Sequence, residues 1–312
     1  MNGLFFLGNT LSLSFYLLLE PTPALIMPFQ FTGFADEAEK TLDEQISTLK
    51  EVGWSAIELR LIDGKNVVDQ SDDEWARTWD KLQEEGIEVV GFGGQIANWA
   101  RPISSDFQVD IDELKRVAPR MRQANTKFLR TMSYPNDEDN PLSREDWMTE
   151  AVRRFKELAL IAEAEDVILA HENCSGIGAD PDGYLKLAEA VNSPALQLIF
   201  DTGNNSLHAN STDVTWDYYE KCRDQITHIH IKCAKPGPDG GDYVTCHVDE
   251  DPVQRRIIQD LQDTGYDGWL SIEPHIKAAI HAGQDVDDSG EGRVVWVEYA
   301  KRLEALVADI MK

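Results

Sequence analysis

The chain has 312 residues, 42% of them hydrophobic, which suits one large α/β domain with a full core. Its 56 acidic against 29 basic residues give a formal charge of −27, a field that repels nucleic acid and anionic lipid and so excludes both as partners. Four cysteines, Cys174, Cys222, Cys233 and Cys246, form no Cys-x-x-Cys pair. They are too few for a disulfide framework and fit free thiols in a reducing cytoplasm.

The acids are spread over expected helix faces, as in Asp72-Asp73-Glu74, Glu84-Glu85 and Asp287-Asp288. That distribution is like the surfaces of salt-adapted proteins and predicts a halophilic source. At the start, the apolar run from Leu4 to Leu19 could pass for the core of a signal peptide. No Lys or Arg occurs before Lys40, however, so the positive n-region is missing. Asn9 and three hydroxyl residues also interrupt a run already short for a membrane span. Residues 1–26 are read as an extension outside the fold, as from a start called too far upstream, with an export segment as the alternative. Residues 27–312 are read as a single domain.

From Phe29 onward, short apolar runs alternate with longer helical patterns, the signature of βα units and a parallel sheet. Strands are expected near 29–35, 55–60, 87–93, 127–132, 167–171, 196–200, 226–231 and 268–272. Helices are expected near 41–52, 72–85, 110–124, 143–164, 181–192, 213–223, 252–264 and 291–311. Ser71 and Ser143 precede acidic first turns, as N-caps do. Gly53, Gly86 and Gly265 stand where helices give way to strands. Eight such pairs make a (β/α)₈ TIM barrel, an α/β fold in one domain. The connection from Cys233 to Asp251 is too long for an ordinary loop and is expected to cover the site.

Four metal-type side chains end strand-like runs. Glu172 closes the fifth, Asp201 the sixth, His230 lies in the seventh and Glu273 ends the eighth, at spacings of 29, 29 and 43 residues. A βα unit needs about 30 residues, so consecutive parallel strands would present all four at the rim where such barrels build their active sites. Three carboxylates and an imidazole make a hard, oxygen-rich set. It suits Mn²⁺ best, with Mg²⁺, Co²⁺ or Zn²⁺ as alternatives. A cation there would polarise a sugar carbonyl, and Glu172 and Glu273, approaching from different strands, would serve as proton-transfer groups as well as ligands. Taken singly, each carboxylate reads more simply as a helix cap or a solvated group; the joint pattern carries the assignment. His228 shares the inner face with His230 and is expected to be a core histidine with a backbone partner. His171 points the other way and reads as structural, and Cys174 and Cys233 as buried thiols.

These residues and their surroundings resemble the sugar phosphate isomerase/epimerase group of xylose isomerase-like barrels over about residues 29 to 311. The motifs are Gly33-Phe-Ala-Asp-Glu-Ala38, Ile57-Glu-Leu-Arg60, His171-Glu-Asn-Cys-Ser-Gly176, Asp201-Thr-Gly-Asn204, His228-Ile-His-Ile-Lys232 and Trp269-Leu-Ser-Ile-Glu-Pro-His275. The resemblance implies one divalent metal on Glu172, Asp201, His230 and Glu273, with the two glutamates as the proton-transfer pair. It nominates Glu58, Arg60, Asn204, Lys232 and His275 as substrate-binding. Asn204 stands where many members carry a substrate-touching histidine, Cys233 where an acid often follows the lysine, and Val248-Asp-Glu-Asp251 where Gly-Glu-Gly is common. These departures concern the substrate rather than the metal. The acidic 233–251 loop makes a poor phosphate cradle, which favours an unphosphorylated or oxidised sugar.

The implied function is a metal-dependent isomerase or epimerase acting on a ketose or keto-sugar through an enediolate. A lyase that cleaves 3-oxo-glycosides by β-elimination, acting with a small partner subunit, is the alternative, and a non-catalytic sugar-binding barrel is another. A homo-oligomer is compatible with either enzyme. The related endonucleases use three zinc ions and extra histidines at the second and third strand ends, where this chain has Glu58 with Arg60 and Gly93-Gly94-Gln95.

Overall fold

Residues 29–276 and 290–312 are described by the computed structural model. The segment 1–26, read above as an extension, and the segment 277–289 lie outside them.

The eight strands are β1 (Gln30–Gly33), β2 (Ala56–Leu59), β3 (Glu88–Ile96), β4 (Phe128–Ser133), β5 (Ile168–Gly176), β6 (Leu196–Asp201), β7 (Ile226–Ile231) and β8 (Trp269–Ile272). They form one sheet in the order β1-β8-β7-β6-β5-β4-β3-β2. Every pairing in it is parallel, and β1 and β2 approach each other where the ring closes. Helices run between the strands: α1 (Leu42–Glu51), α2 (Asp72–Glu85), α3 (Gln108–Gln123), α4 (Arg144–Glu165), α5 (Pro181–Val191), α6 (Asn204–Ala209), α7 (Asp213–Cys222), α8 (Pro252–Asp263) and α9 (Glu291–Ile310). The protein is a single-domain TIM barrel.

Local chemistry explains the element ends. Ser71 and Glu74 form a reciprocal capping box at the start of α2, and Ser143 accepts from the Asp146 N–H at the start of α4. α2 ends at Gly86 with φ 67°, a left-handed turn that only glycine adopts without strain. Strands packed on both faces read as continuous apolar runs, and Leu169, Leu198, Ile229 and Leu270 are fully buried against the helix layer.

Three features exceed the expected pattern. β3 and β5 extend to Ile96 and Gly176 with register shifts against β4. The short α6 follows β6 directly. The long 233–251 connection folds into an antiparallel hairpin of Ala234–Pro236 with Tyr243–Thr245. Its far strand is tied to the end of β8 by Thr245 Oγ1 donating to the His275 carbonyl at 3.1 Å, and to the end of α6 by the Tyr243 N–H donating to Asn210 Oδ1 at 2.7 Å. The hairpin therefore bridges the rim above β6, β7 and β8. Among the described residues no helix is long and apolar enough to cross a membrane.

Candidate active site

The side chains of Glu172, Asp201, His230 and Glu273 converge inside the barrel, with one donor atom from each lying within 4.8 Å of the others. The sheet register produces this convergence. Glu172 pairs with Ile199, Asp201 with His230, and His230 with Ser271, so inward residues from β5 to β8 rise in step to one level. All four are at least 99% buried.

Each ligand-type group is held so that one atom faces the centre. Asp201 Oδ1 accepts from the Gly203 and Asn204 backbone N–H groups at 2.9 and 2.8 Å, and Asp201 Oδ2 faces the centre, met by the Lys232 ammonium at 3.1 Å. Glu172 Oε2 is buried without a hydrogen-bond partner; its nearest cation is Arg130 Nη1 at 3.6 Å. His230 Nε2 lies 3.1 Å from Glu58 Oε1. An ionised Glu58 can only accept, so that nitrogen carries the proton, and Nδ1 is left facing Glu172 Oε1 at 3.1 Å. A carboxylate behind an imidazole in this way orients metal-binding histidines. Glu172 Oε2, Asp201 Oδ2 and the Nδ1 edge of the ring surround a centre that fits a divalent cation, for which Nδ1 would have to give up its proton.

Electrostatics agree with that fit. Burial raises the Asp201 carboxyl; Lys232 opposes the rise, and the neighbouring Glu172 and Glu273 charges add to it. Burial would also raise Glu172, but the His230 hydrogen bond and Arg130 prevail and hold it at about 2. Burial would lower His230, yet Glu58 and Glu172 push it up to about 10.

The nominated substrate residues take distinct places. Lys232 Nζ sits 2.7 Å from Glu273 Oε2, 3.1 Å from Asp201 Oδ2 and 3.0 Å from Asn204 Oδ1. Arg60 pairs with Asp36 at 2.8 Å, with Glu37 at 3.2 Å and with Glu273. His275, in the left-handed region at φ 51°, is gripped by Glu37, which accepts from its backbone N–H at 2.8 Å and meets its Nε2 at 3.0 Å. Glu58 lies deeper, against His228, His230 and Ser271. His228 thus has a carboxylate partner rather than the backbone partner expected, because Glu58 reaches across the barrel to both histidines. His171 is buried on the outer face beside Tyr184. The four cysteines are free thiols; Cys174 is only partly buried and Cys233 is fully buried against Tyr299.

Asp36, Glu37 and Arg130 were not singled out from sequence. The Gly33-to-Ala38 motif held the signal for the first two, since two acids after the first strand must answer a cation. Arg130 had none, because a lone arginine in an apolar strand gives no hint of what it faces. Space for these groups comes from β3. A Cβ on Gly93 would stand 2.9 Å from Arg60 Cβ and 3.1 Å from the Phe34 ring, which has the Arg60 guanidinium 4.4 Å from its centroid.

The model of the xylose isomerase-like TIM barrel family matches residues 46–305, and the chain belongs to that family. No curated protein matches the chain. Solved structures share the fold at low identity. The probable 3-DHS dehydratase AsbF of petrobactin synthesis from Bacillus anthracis is 17% identical with TM-score 0.65, over 88% of this chain and 99% of that one. A xylose isomerase-like TIM barrel protein from Mycobacterium smegmatis in complex with magnesium is 15% identical with TM-score 0.65, over 92% and 98%. A D-psicose 3-epimerase determined in the presence of D-fructose is 16% identical with TM-score 0.64, over 89% and 98%.

Proposed function

We propose that the protein is a divalent-metal-dependent sugar isomerase or epimerase that moves a proton α to the carbonyl of a ketose or keto-sugar. The observation that carries this reading is the convergence of Glu172, Asp201, His230 and Glu273, with Glu172 Oε2 buried without a hydrogen-bond partner and Asp201 Oδ2 met only by Lys232. These four residues would hold the ion, with Mn²⁺ the first choice for an oxygen-rich set and Mg²⁺ compatible with it. When bound, the cation supplies Lewis-acid polarisation of the substrate carbonyl.

The remaining chemistry belongs to the side chains. Glu172 lies in β5 and Glu273 follows β8, and from these separate positions one would take a proton from a substrate carbon while the other returns one. Burial would raise Glu273, but Lys232, His275 and Arg60 together hold it well below the usual carboxylate range, which keeps it ionised. Arg60 and Lys232 fix its orientation, Glu58 positions His230, and Asn204 and His275 face the sugar. The fold kinship with a D-psicose 3-epimerase supports sugar chemistry. That with a 3-DHS dehydratase leaves elimination as the second reading.

The test is turnover of a keto-sugar panel by Mn²⁺-loaded protein in D₂O. Deuterium should enter the carbon α to the carbonyl, with the product mass otherwise unchanged. Loss of an aglycone or of water would indicate elimination instead. Glu273→Gln keeps the shape but cannot accept a proton, and its rate should fall by at least about 10²-fold. Metal content is measured beside the rate, and a metal-loaded variant with near-normal turnover rules out the proton-transfer role.

A further inference from the structure

The oxygens of two ligand carboxylates are divided between different partners. Asp201 Oδ1 accepts from the Gly203 and Asn204 backbone N–H groups. Glu273 is approached at Oε1 by Arg60 Nη1, by His275 Nε2 at 3.3 Å and by Arg130 Nη1 at 3.8 Å. Lys232 takes the opposite oxygen of each, with Nζ 3.1 Å from Asp201 Oδ2 and 2.7 Å from Glu273 Oε2. The ammonium therefore sits on the two oxygens that the other partners leave toward the centre of the cluster.

Lys232 cannot withdraw from that place into water. It is 1% exposed, and the Thr202 hydroxyl ties its backbone on both sides, accepting from its N–H at 3.2 Å and donating to its carbonyl at 2.7 Å. A Cβ on Gly203 would stand 2.7 Å from Lys232 Cγ, so the stem lies in a groove that exists because position 203 has no side chain. What can swing is the end of the chain beyond Cγ, and its third contact is Asn204 Oδ1 at 3.0 Å. A divalent ion held by the four ligands needs the same two oxygens. An ammonium between carboxylates keeps its charge, and two positive charges within about 4 Å of each other repel strongly where water is excluded.

From this geometry we infer that Lys232 is a positioning residue that sets the affinity of the divalent ion. Its ammonium is an internal counter-ion for Asp201 and Glu273, and the ion binds by displacing it toward Asn204. The lysine thereby keeps the ion exchangeable. This rests on the ion site proposed above and adds how tightly that site holds its ion.

Mn²⁺ binding by the full chain tests it, with the protein stripped by a chelator and titrated at fixed pH and ionic strength while free Mn²⁺ is read by electron paramagnetic resonance. Lys232→Met and Lys232→Gln keep most of the length and remove the charge. Both should bind Mn²⁺ more tightly than the parent by about ten-fold or more, and both should melt lower than the parent without the ion and gain more from adding it. A lysine that merely braced the fold would give the opposite sign, because its loss would weaken the site. Native circular dichroism with a Kd unchanged or raised in both variants overturns the inference. Should neither variant fold, parent protein carrying ¹³C-lysine decides the matter under Mg²⁺ titration. Its Lys232 Cε resonance, assigned through backbone correlations, should shift in step with occupancy, and a resonance that stays in place overturns the inference. Tighter Mn²⁺ in the variants with no deuterium exchange on any keto-sugar by the parent sinks the proposed reaction and leaves this inference standing. A parent that exchanges deuterium, with variants that bind Mn²⁺ no more tightly, does the reverse, and no Mn²⁺ binding by any of the proteins refutes both.

Discussion

Asp201 shows how a single side chain is prepared for one task. Two backbone N–H groups hold Oδ1, Asn173 brackets its main chain from β5 at 2.6 and 2.9 Å, and Oδ2 is left to the centre of the cluster. Replacing it with Ala removes one of four donors but none of the apolar packing, so Asp201→Ala should lose stoichiometric metal, read by elemental analysis, while its circular dichroism and folding cooperativity stay as in the parent. Full metal content in that variant would show that the ion sits elsewhere. His230 adds a pH dependence. In the metal-free protein its carboxylate partners raise it to about 10, so the ring carries a proton at neutral pH, whereas a ligand histidine must be neutral. Metal binding should therefore expel a proton, and affinity should climb as pH rises toward that value and fall as pH drops. Calorimetry in two buffers of different ionisation enthalpy reads the proton count; a count of zero at pH 7 contradicts the assignment.

At the scale of elements, β3 is unusual in what it omits. Its sequence Glu-Val-Val-Gly-Phe-Gly-Gly-Gln-Ile places Gly91 and Gly93 toward Glu58 and Arg60, and the missing side chains make room for the long groups of β2 and for Arg130 from β4. Gly93→Ala puts a methyl against Arg60 Cβ and the Phe34 ring, neither of which is the free end of a flexible chain. Overpacking of that kind costs about 1–3 kcal/mol, and it should also displace the Arg60 guanidinium from Glu273. Denaturant unfolding together with metal titration checks both effects; unchanged stability would mean that the strand shifts to absorb the methyl. The hairpin after β7 works in the opposite sense, filling the rim rather than vacating it. Its tie to His275 links the long loop to the residue that follows Glu273 by two.

The whole molecule carries a charge of −27. Much of it is scattered over helix surfaces, where exposed pairs such as Lys50–Glu85 and Arg255–Asp309 answer only part of it. Self-repulsion of this kind opposes the compact state and is screened by salt, with a Debye length of about 10 Å at 0.1 M and about 3 Å at 1 M. The melting temperature should rise between those two concentrations by at least about 2 °C, the shift that 1 kcal/mol produces in a large domain. A fall across that range would show that exposed ion pairs outweigh the repulsion.

The order and spacing of the elements could be read from the chain because a parallel barrel repeats one unit, and apolar runs, serine caps and exit glycines mark each repeat locally. The strand ends that carry Glu172, Asp201, His230 and Glu273 were legible for the same reason. Their facing one another was not local information, since it depends on the stagger between neighbouring strands. Likewise no pattern along the chain says that Glu58 passes beneath His230 and His228, that Arg130 enters between two glutamates, or that Lys232 turns the amide of Asn204. Those relations join residues up to 172 positions apart, and they arise only when the sheet closes and brings the buried charges and donors of its interior together.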